Sequence, residues 1–172
     1  GAVAVNVNCF AAADGSINLT VTGGTGPYTF AWTGGATSED LSDLAPGTYT
    51  VSVTDAHGCE TTASATVTEP AVLSLIATPT DAACFGASTG SVNLTVSGGT
   101  ADYTFAWSNG ATSEDLAGLA AGSYTATVTD DNGCTTEIGA SLTETSAIEI
   151  TASLRDSPST RSFSSYSSLR RE

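Results

Sequence analysis

Residues 47–59 read GTYTVSVTDAHGC and residues 122–134 read GSYTATVTDDNGC. The offset between them is 75, and it aligns residues 9–70 with 84–145 without a gap, with 38 of 62 positions identical. So close a match is a tandem duplication, and both copies must reach the same fold. The chain divides into a first repeat at 1–70, a second at 71–145, and an extra strand with a Ser/Arg-rich tail at 146–172. A unit of about 70 residues buries only a modest core and is marginal alone.

Each repeat has the two-residue period of strands with one buried face. Ile17, Leu19 and Val21 alternate with Ser16, Asn18, Thr20 and Thr22. Tyr28, Phe30 and Trp32 share one face of YTFAW, as Tyr49, Val51 and Val53 do in TYTVSVT. GGTGP, TGG, APG and DAHG supply the turns. Short strands at this spacing predict an all-β fold of two tandem β-sandwiches. SEDLSDL has room for one helical turn and no more.

Composition narrows the function. The 172 residues carry 18 acids and four bases, and the bases are Arg155, Arg161, Arg170 and Arg171. Residues 1–150 hold 16 acids and no Lys or Arg, a body that repels phosphate backbones and anionic membranes. No nucleic-acid partner and no membrane insertion is expected, since no run of 18 apolar residues exists. Gly1, in a chain without Met, reads as a processed start from which an export signal was removed.

Two cysteines per repeat, 50 positions apart in both copies, suit a small domain that needs a staple. The expected bridges are Cys9–Cys59 and Cys84–Cys134, each worth about 4 kcal/mol in the chain-entropy model. A reduced pair or a metal site is the alternative. A metal site normally draws four ligands at short spacing, and the single histidine is His57. Disulfides imply an oxidising, extracytoplasmic compartment.

In order, each copy carries C-F, G-S-[IV]-N-L-T-V, G-G-T, Y-T-F-A-W, G-A-T-S-E-D-L and G-x-Y-T-x-x-V-T-D-x-x-G-C. This pattern resembles the SprB-type repeat, found in tandem in very large surface proteins of Bacteroidota, including gliding-motility adhesins. The resemblance implies an immunoglobulin-like sandwich, display outside the cell, and a structural or adhesive role without catalysis. Residues 155–172 lie outside the pattern.

Individual residues read mostly as architecture. Trp32 and Trp107 end alternating aromatic strands and are expected in the core rather than as sugar platforms. Tyr49 and Tyr124 follow a glycine at a strand start, as in a tyrosine corner. His57 has no nucleophile or orienting partner in view, so it reads as a turn residue. Asp55, Asp130 and Asp131 sit in turns that could offer oxygens to Ca²⁺, but Asp/Asn-Gly pairs are ordinary hairpin chemistry. No other cofactor is expected. Asn18-Leu19-Thr20 and Asn93-Leu94-Thr95 are glycosylation sequons on the wet face, so attached glycans are expected there or on the Thr rows.

The offset also organises the two ends. Leu73, Leu75 and Ala77 match Ile148, Ile150 and Ala152, and Leu154 continues the strand. Residues 146–154 therefore read as the first strand of a third repeat that does not follow, with Ser159 where its first cysteine would fall. An unpaired apolar strand seeks a partner. The expectation is a non-catalytic extracellular fibre or adhesin segment whose partners are copies of itself. Residues 146–154 of one chain would add to the first repeat of the next, head to tail. The +2 charge of residues 151–172 complements a body of −16. The alternative function is a Ca²⁺-dependent glycan-binding module.

Overall fold

The protein is seen in a computed structural model that describes residues 1–151. The first module comprises β1 (Ala2–Val5), β2 (Gly15–Leu19), β3 (Thr29–Trp32), β4 (Leu41–Leu44), β5 (Gly47–Thr54) and β6 (Glu60–Val67). The second comprises β7 (Ser74–Thr80), β8 (Gly90–Ser97), β9 (Thr104–Trp107), β10 (Leu116–Leu119), β11 (Gly122–Thr129) and β12 (Thr135–Leu142). Sheet orders are β1-β2-β4 and β3-β5-β6 in module 1, and β10-β8-β7 and β12-β11-β9 in module 2. All these pairs are antiparallel. First, second and fourth strands on one sheet and third, fifth and sixth on the other is the arrangement of an immunoglobulin-like sandwich.

Each module has its own core, drawn from both sheets. In module 1, Ile17 and Leu19 meet Trp32, Val51, Val53 and Val67. In module 2, Val92 and Leu94 meet Trp107, Ala126, Val128 and Leu142. Both tryptophans are 4% exposed, and their Nε1–H groups donate to the carbonyls of Ser38 and Ser113 at 2.8 Å. The ring is thereby buried without an orphaned donor. The Tyr49 hydroxyl donates to Ala45 O at 2.9 Å, and that of Tyr124 to Ala120 O at 3.0 Å, the back-bond of a tyrosine corner. Gly15 permits the sheets to close. A Cβ there would stand 2.7 Å from Val67 Cγ1 and 2.9 Å from Leu44 O.

SEDLSDL forms no helical turn. Its leucines become β4, whose pairing with β2 shifts register between Gly15 and Ile17, with Asp43 at φ 56°. In module 2 the same bulge falls between Ala117 and Leu119, with Gly118 at φ 69°. A bulge turns both leucines of an LxxL spacing toward one face, which a regular strand would not do. Asp40 pins the stretch by accepting from Leu19 N at 2.8 Å, as Asp115 does from Leu94 N at 2.9 Å.

Every module has two poles, set apart by the length of its last strand. The upper pole holds the loop after the first strand, with Cys9 or Cys84. The lower pole holds the turn before the last strand, with Cys59 or Cys134.

Because the cores are separate, Trp32→Ala should cost module 1 about 3–5 kcal/mol and leave module 2 folded. Trp107 is then the only tryptophan, and its fluorescence should hold its denaturation midpoint while backbone circular dichroism shows an earlier transition. One shared transition would show that the cores unfold together.

The module junction as candidate functional site

The cysteine pairing differs from the expected one. Cys9 is bonded to Cys134, across the two modules and 125 residues apart, with Cα atoms 5.8 Å apart. Cys59 and Cys84 are free and exposed. Strand length is the physical reason. The Cys9 loop is tied to the end of β6: Ala11 N donates to Glu69 at 2.7 Å and Thr68 N to Asn6 Oδ1 at 2.9 Å. Cys59 lies in the turn at the start of β6. Eight residues of strand separate them, about 26 Å at ~3.3 Å per residue. A disulfide needs Cα atoms within about 7 Å. Cys84 and Cys134 stand in the same relation along β12. A bridge within either module is geometrically excluded, whereas the chain leaving β6 carries the lower pole of module 2 onto the upper pole of module 1.

Further contacts secure the junction. Gly99 N donates to Ala71 O at 2.8 Å. Asn132 Nδ2 donates to Asn8 O at 2.9 Å and to Thr100 Oγ1 at 3.1 Å. The linker passes so near the GGT loop that a Cβ on Gly98 would stand 2.0 Å from Val72 O. Gly98 also sits at φ 74°, where a side chain is strained. A shallow hollow remains between the poles, lined by Cys9, Phe10, Val72, Leu73, Asp130 and Cys134.

The turn aspartates are engaged with backbone. Asp130, 4% exposed, accepts from Cys134 N at 2.8 Å and Thr100 N at 2.9 Å. Asp55 accepts from Cys59 N and His57 N at 2.9 Å and from Thr25 N at 3.1 Å. These amides, Cys59 first, hold the Asp55 carboxyl below its ordinary 3.8. The Thr143 amide does the same to Asp81 at the upper pole of module 2. A depressed folded-state pKa means each tie is complete above the ordinary value and is lost as pH falls through the lower one. Asp131 is exposed, and its own amide donates to Thr100 O at 3.0 Å. Among the described residues no three His, Cys, Asp or Glu side chains are grouped as a metal site.

Other residues singled out in the sequence lie apart from the junction. Asn18, Thr20, Asn93 and Thr95 are exposed on β2 and β8 or just beyond them, and Asn93 Nδ2 donates to Asp115 at 3.4 Å. Ile148 and Ile150 are 94% and 90% exposed. Ala152 and Leu154 fall outside the described residues. The junction residues Asn8, Ala71, Val72, Gly98 and Asn132 were not foreseen. The repeated GGT was their one visible signal, and it reads equally as a turn.

Comparison with known proteins finds the SprB repeat twice, at residues 1–37 and 76–112, so the chain carries two such repeats in tandem. The two matches keep the offset of 75. Each covers the first three strands of a module or most of them. No curated protein matches the chain. Among solved structures the chain is similar to the amphioxus IgVJ-C2 molecule, at 12% identity and a TM-score of 0.38, over 78% of this chain and 99% of that one. So loose a likeness adds nothing to the strand order and cores described above.

Gly98 and Gly23 occupy matching positions at φ 74° and 79°, but nothing lies within 4 Å of a Cβ on Gly23. Gly23→Ala should cost the left-handed strain alone, about 1–2 kcal/mol. Gly98→Ala should cost more and speed reduction of Cys9–Cys134 by dithiothreitol, because the linker must move. Equal costs and equal reduction rates would remove the close approach as a determinant of the junction.

Proposed function

Starting from two SprB repeats in tandem, we propose that this protein is a non-catalytic, exported structural segment of a cell-surface fibre or adhesin. SprB repeats occur in cell-surface proteins, and among the described residues no helix is long and apolar enough to cross a membrane. The observation that carries the reading is the junction. A disulfide and the Asn132–Asn8 contact join modules that a bare linker would leave free to swing, and a backbone hydrogen bond from Gly99 to Ala71 holds the linker against module 2. A chain so joined acts as a short rod, which suits reach and the transmission of force rather than turnover.

The partner in this reading is another copy, stacked head to tail. In module 2, β7 runs alongside β8 from Thr80↔Ser91 to Ser74↔Ser97, and Leu75 packs on the core opposite Val96. In module 1, β1 covers β2 only from Ser16 to Leu19. Beyond it lies a hollow rimmed by Gly1, Val21, Val53, Thr61 and Ala63. Ile150 matches Leu75, so Ile150 of a neighbouring copy suits that hollow, beside Val21. Because β1 already pairs with Ser16–Leu19 and Gly1 with Thr20, the added stretch is residues 149–150 rather than all of 146–154. Such a contact is heterologous and does not close, so its repetition gives a filament.

A Ca²⁺-dependent glycan-binding role is not favoured, since Asp55 and Asp130 direct their carboxylates at turn amides. Glycans attached at Asn18, Thr20, Asn93 or Thr95 are compatible with the rod, because these side chains point to solvent.

The test is assembly of the full chain, its Cys9–Cys134 bond intact, at rising concentration without added oxidant, followed by sedimentation and electron microscopy. Linear oligomers are expected. Ile150→Asp should abolish them without altering the monomer's denaturation midpoint, because Ile150 is 90% exposed. A chain that stays monomeric, or a variant that assembles unchanged, contradicts head-to-tail stacking.

A further inference from the structure

We propose that Cys84 of one copy and Cys59 of the next form a disulfide that repeats the Cys9–Cys134 bond, so that oxidation locks stacked chains into a covalent ladder. This rests on the head-to-tail reading above. The 75-residue repeat supplies the register. Cys84 occupies in module 2 the place of Cys9, and Cys59 occupies in module 1 the place of Cys134. The resident bond thus joins an upper pole to a lower pole. The chain displays one further upper pole and one further lower pole, each with an exposed thiol.

The surfaces around the two thiols are the two halves of the resident junction. The resident hollow draws Cys9, Phe10, Val72 and Leu73 from above module 1, and Gly99, Asp130 and Cys134 from below module 2. At the upper pole of module 2 a hollow is lined by Cys84, Phe85, Ala147 and Ile148, the matches of the first set. At the lower pole of module 1 a hollow is lined by Gly24, Asp55 and Cys59, the matches of the second. Phe85 is 63% exposed, as its match Phe10 is 52% exposed. Two half-hollows on opposite ends of one chain, each built from the same positions as the closed one, fit each other.

The polar partners match as well. Gly99 N donates to Ala71 O within the chain. The matching pair between copies is Gly24 N and Ser146 O, both backbone groups and so independent of side-chain identity. Val72 O lies against Gly98. Its counterpart is Ala147 O against Gly23, which has the same positive φ and open space above it. Asn132 reaches Asn8 O through a side-chain N–H. At the matching place His57 has a ring N–H to offer to Ala83 O. His57, without a catalytic partner in the sequence, acquires a role here as a junction donor.

The chemistry is thiol–disulfide exchange with a disulfide oxidant. One Cys84 thiolate attacks oxidised glutathione, releasing one glutathione thiolate and forming a mixed disulfide. The Cys59 thiolate of the next copy attacks that sulfur and releases the second glutathione. One S–S bond forms, one breaks, and two protein thiols are oxidised as two glutathione thiols appear.

The experiment is oxidation of the purified chain with oxidised glutathione, followed by non-reducing electrophoresis and digestion after glutamate. That digestion puts residues 1–39, 40–60, 70–114 and 115–137 in separate peptides, one cysteine each. The expected result is a ladder of oligomers in which peptide 70–114 is joined to 40–60. Cys59→Ser and Cys84→Ser chains should each stay monomeric, and an equal mixture should stop at dimer. The 1–39 to 115–137 linkage in each variant confirms that the modules have kept their junction. Dominant Cys59–Cys59 or Cys84–Cys84 links, or a Cys59–Cys84 link within one chain, overturn the proposal. Chains that stack without added oxidant yet keep both thiols open to alkylation after oxidised glutathione is added overturn the covalent bond and leave the stacking intact. Chains that neither stack nor cross-link overturn both.

Discussion

The length of the last strand of each module governs much else in this molecule. Eight residues of extended chain hold the two cysteine-bearing loops of one module at opposite poles. A covalent link of 5.8 Å between Cα atoms has to come from a neighbouring module instead. The cysteines therefore leave module interiors untouched. Each sandwich is held by its own aliphatic and tryptophan core, and the disulfide fixes how one sandwich stands on the next.

This division of labour follows from size. A sandwich of six short strands has little apolar area to bury. Here the sheets close at Gly15 and Gly90, where no Cβ intervenes, and each Trp indole finds a carbonyl for its N–H. Strand positions that carry a bridging disulfide in antibody domains are filled by residues such as Ile17 and Val51, buried to 1% and 0% exposure. The staple is then available for the junction. There it supplements the Asn132–Asn8 contact, while a backbone hydrogen bond and a close-packed glycine hold the linker against module 2.

Much of the fold was legible because strand alternation is a local signal. Ile17/Leu19, Phe30/Trp32 and Val51/Val53 show their buried face in the spacing alone, and the tyrosine after G-x shows its corner. The LxxL of β4 and β10 was less legible. Its spacing suits a helical turn as well as a bulge, and the choice is made by Asp40 and Asp115 reaching amides of another strand. The cysteine pairing was hidden for a different reason. In a gapless repeat, Cys9 to Cys59 and Cys9 to Cys134 obey the same periodicity. Only the distance between poles, a property of the assembled sheet, separates them. Asn132 and Gly98 were invisible as junction residues because both also suit the turns they occupy.

Disulfide mapping of the native, unreduced protein tests the account most directly. After alkylation of free thiols and cleavage at glutamate, the account predicts that peptide 1–39 is joined to peptide 115–137 through Cys9 and Cys134. Peptide 1–39 joined to peptide 40–60, through Cys9 and Cys59, would contradict it.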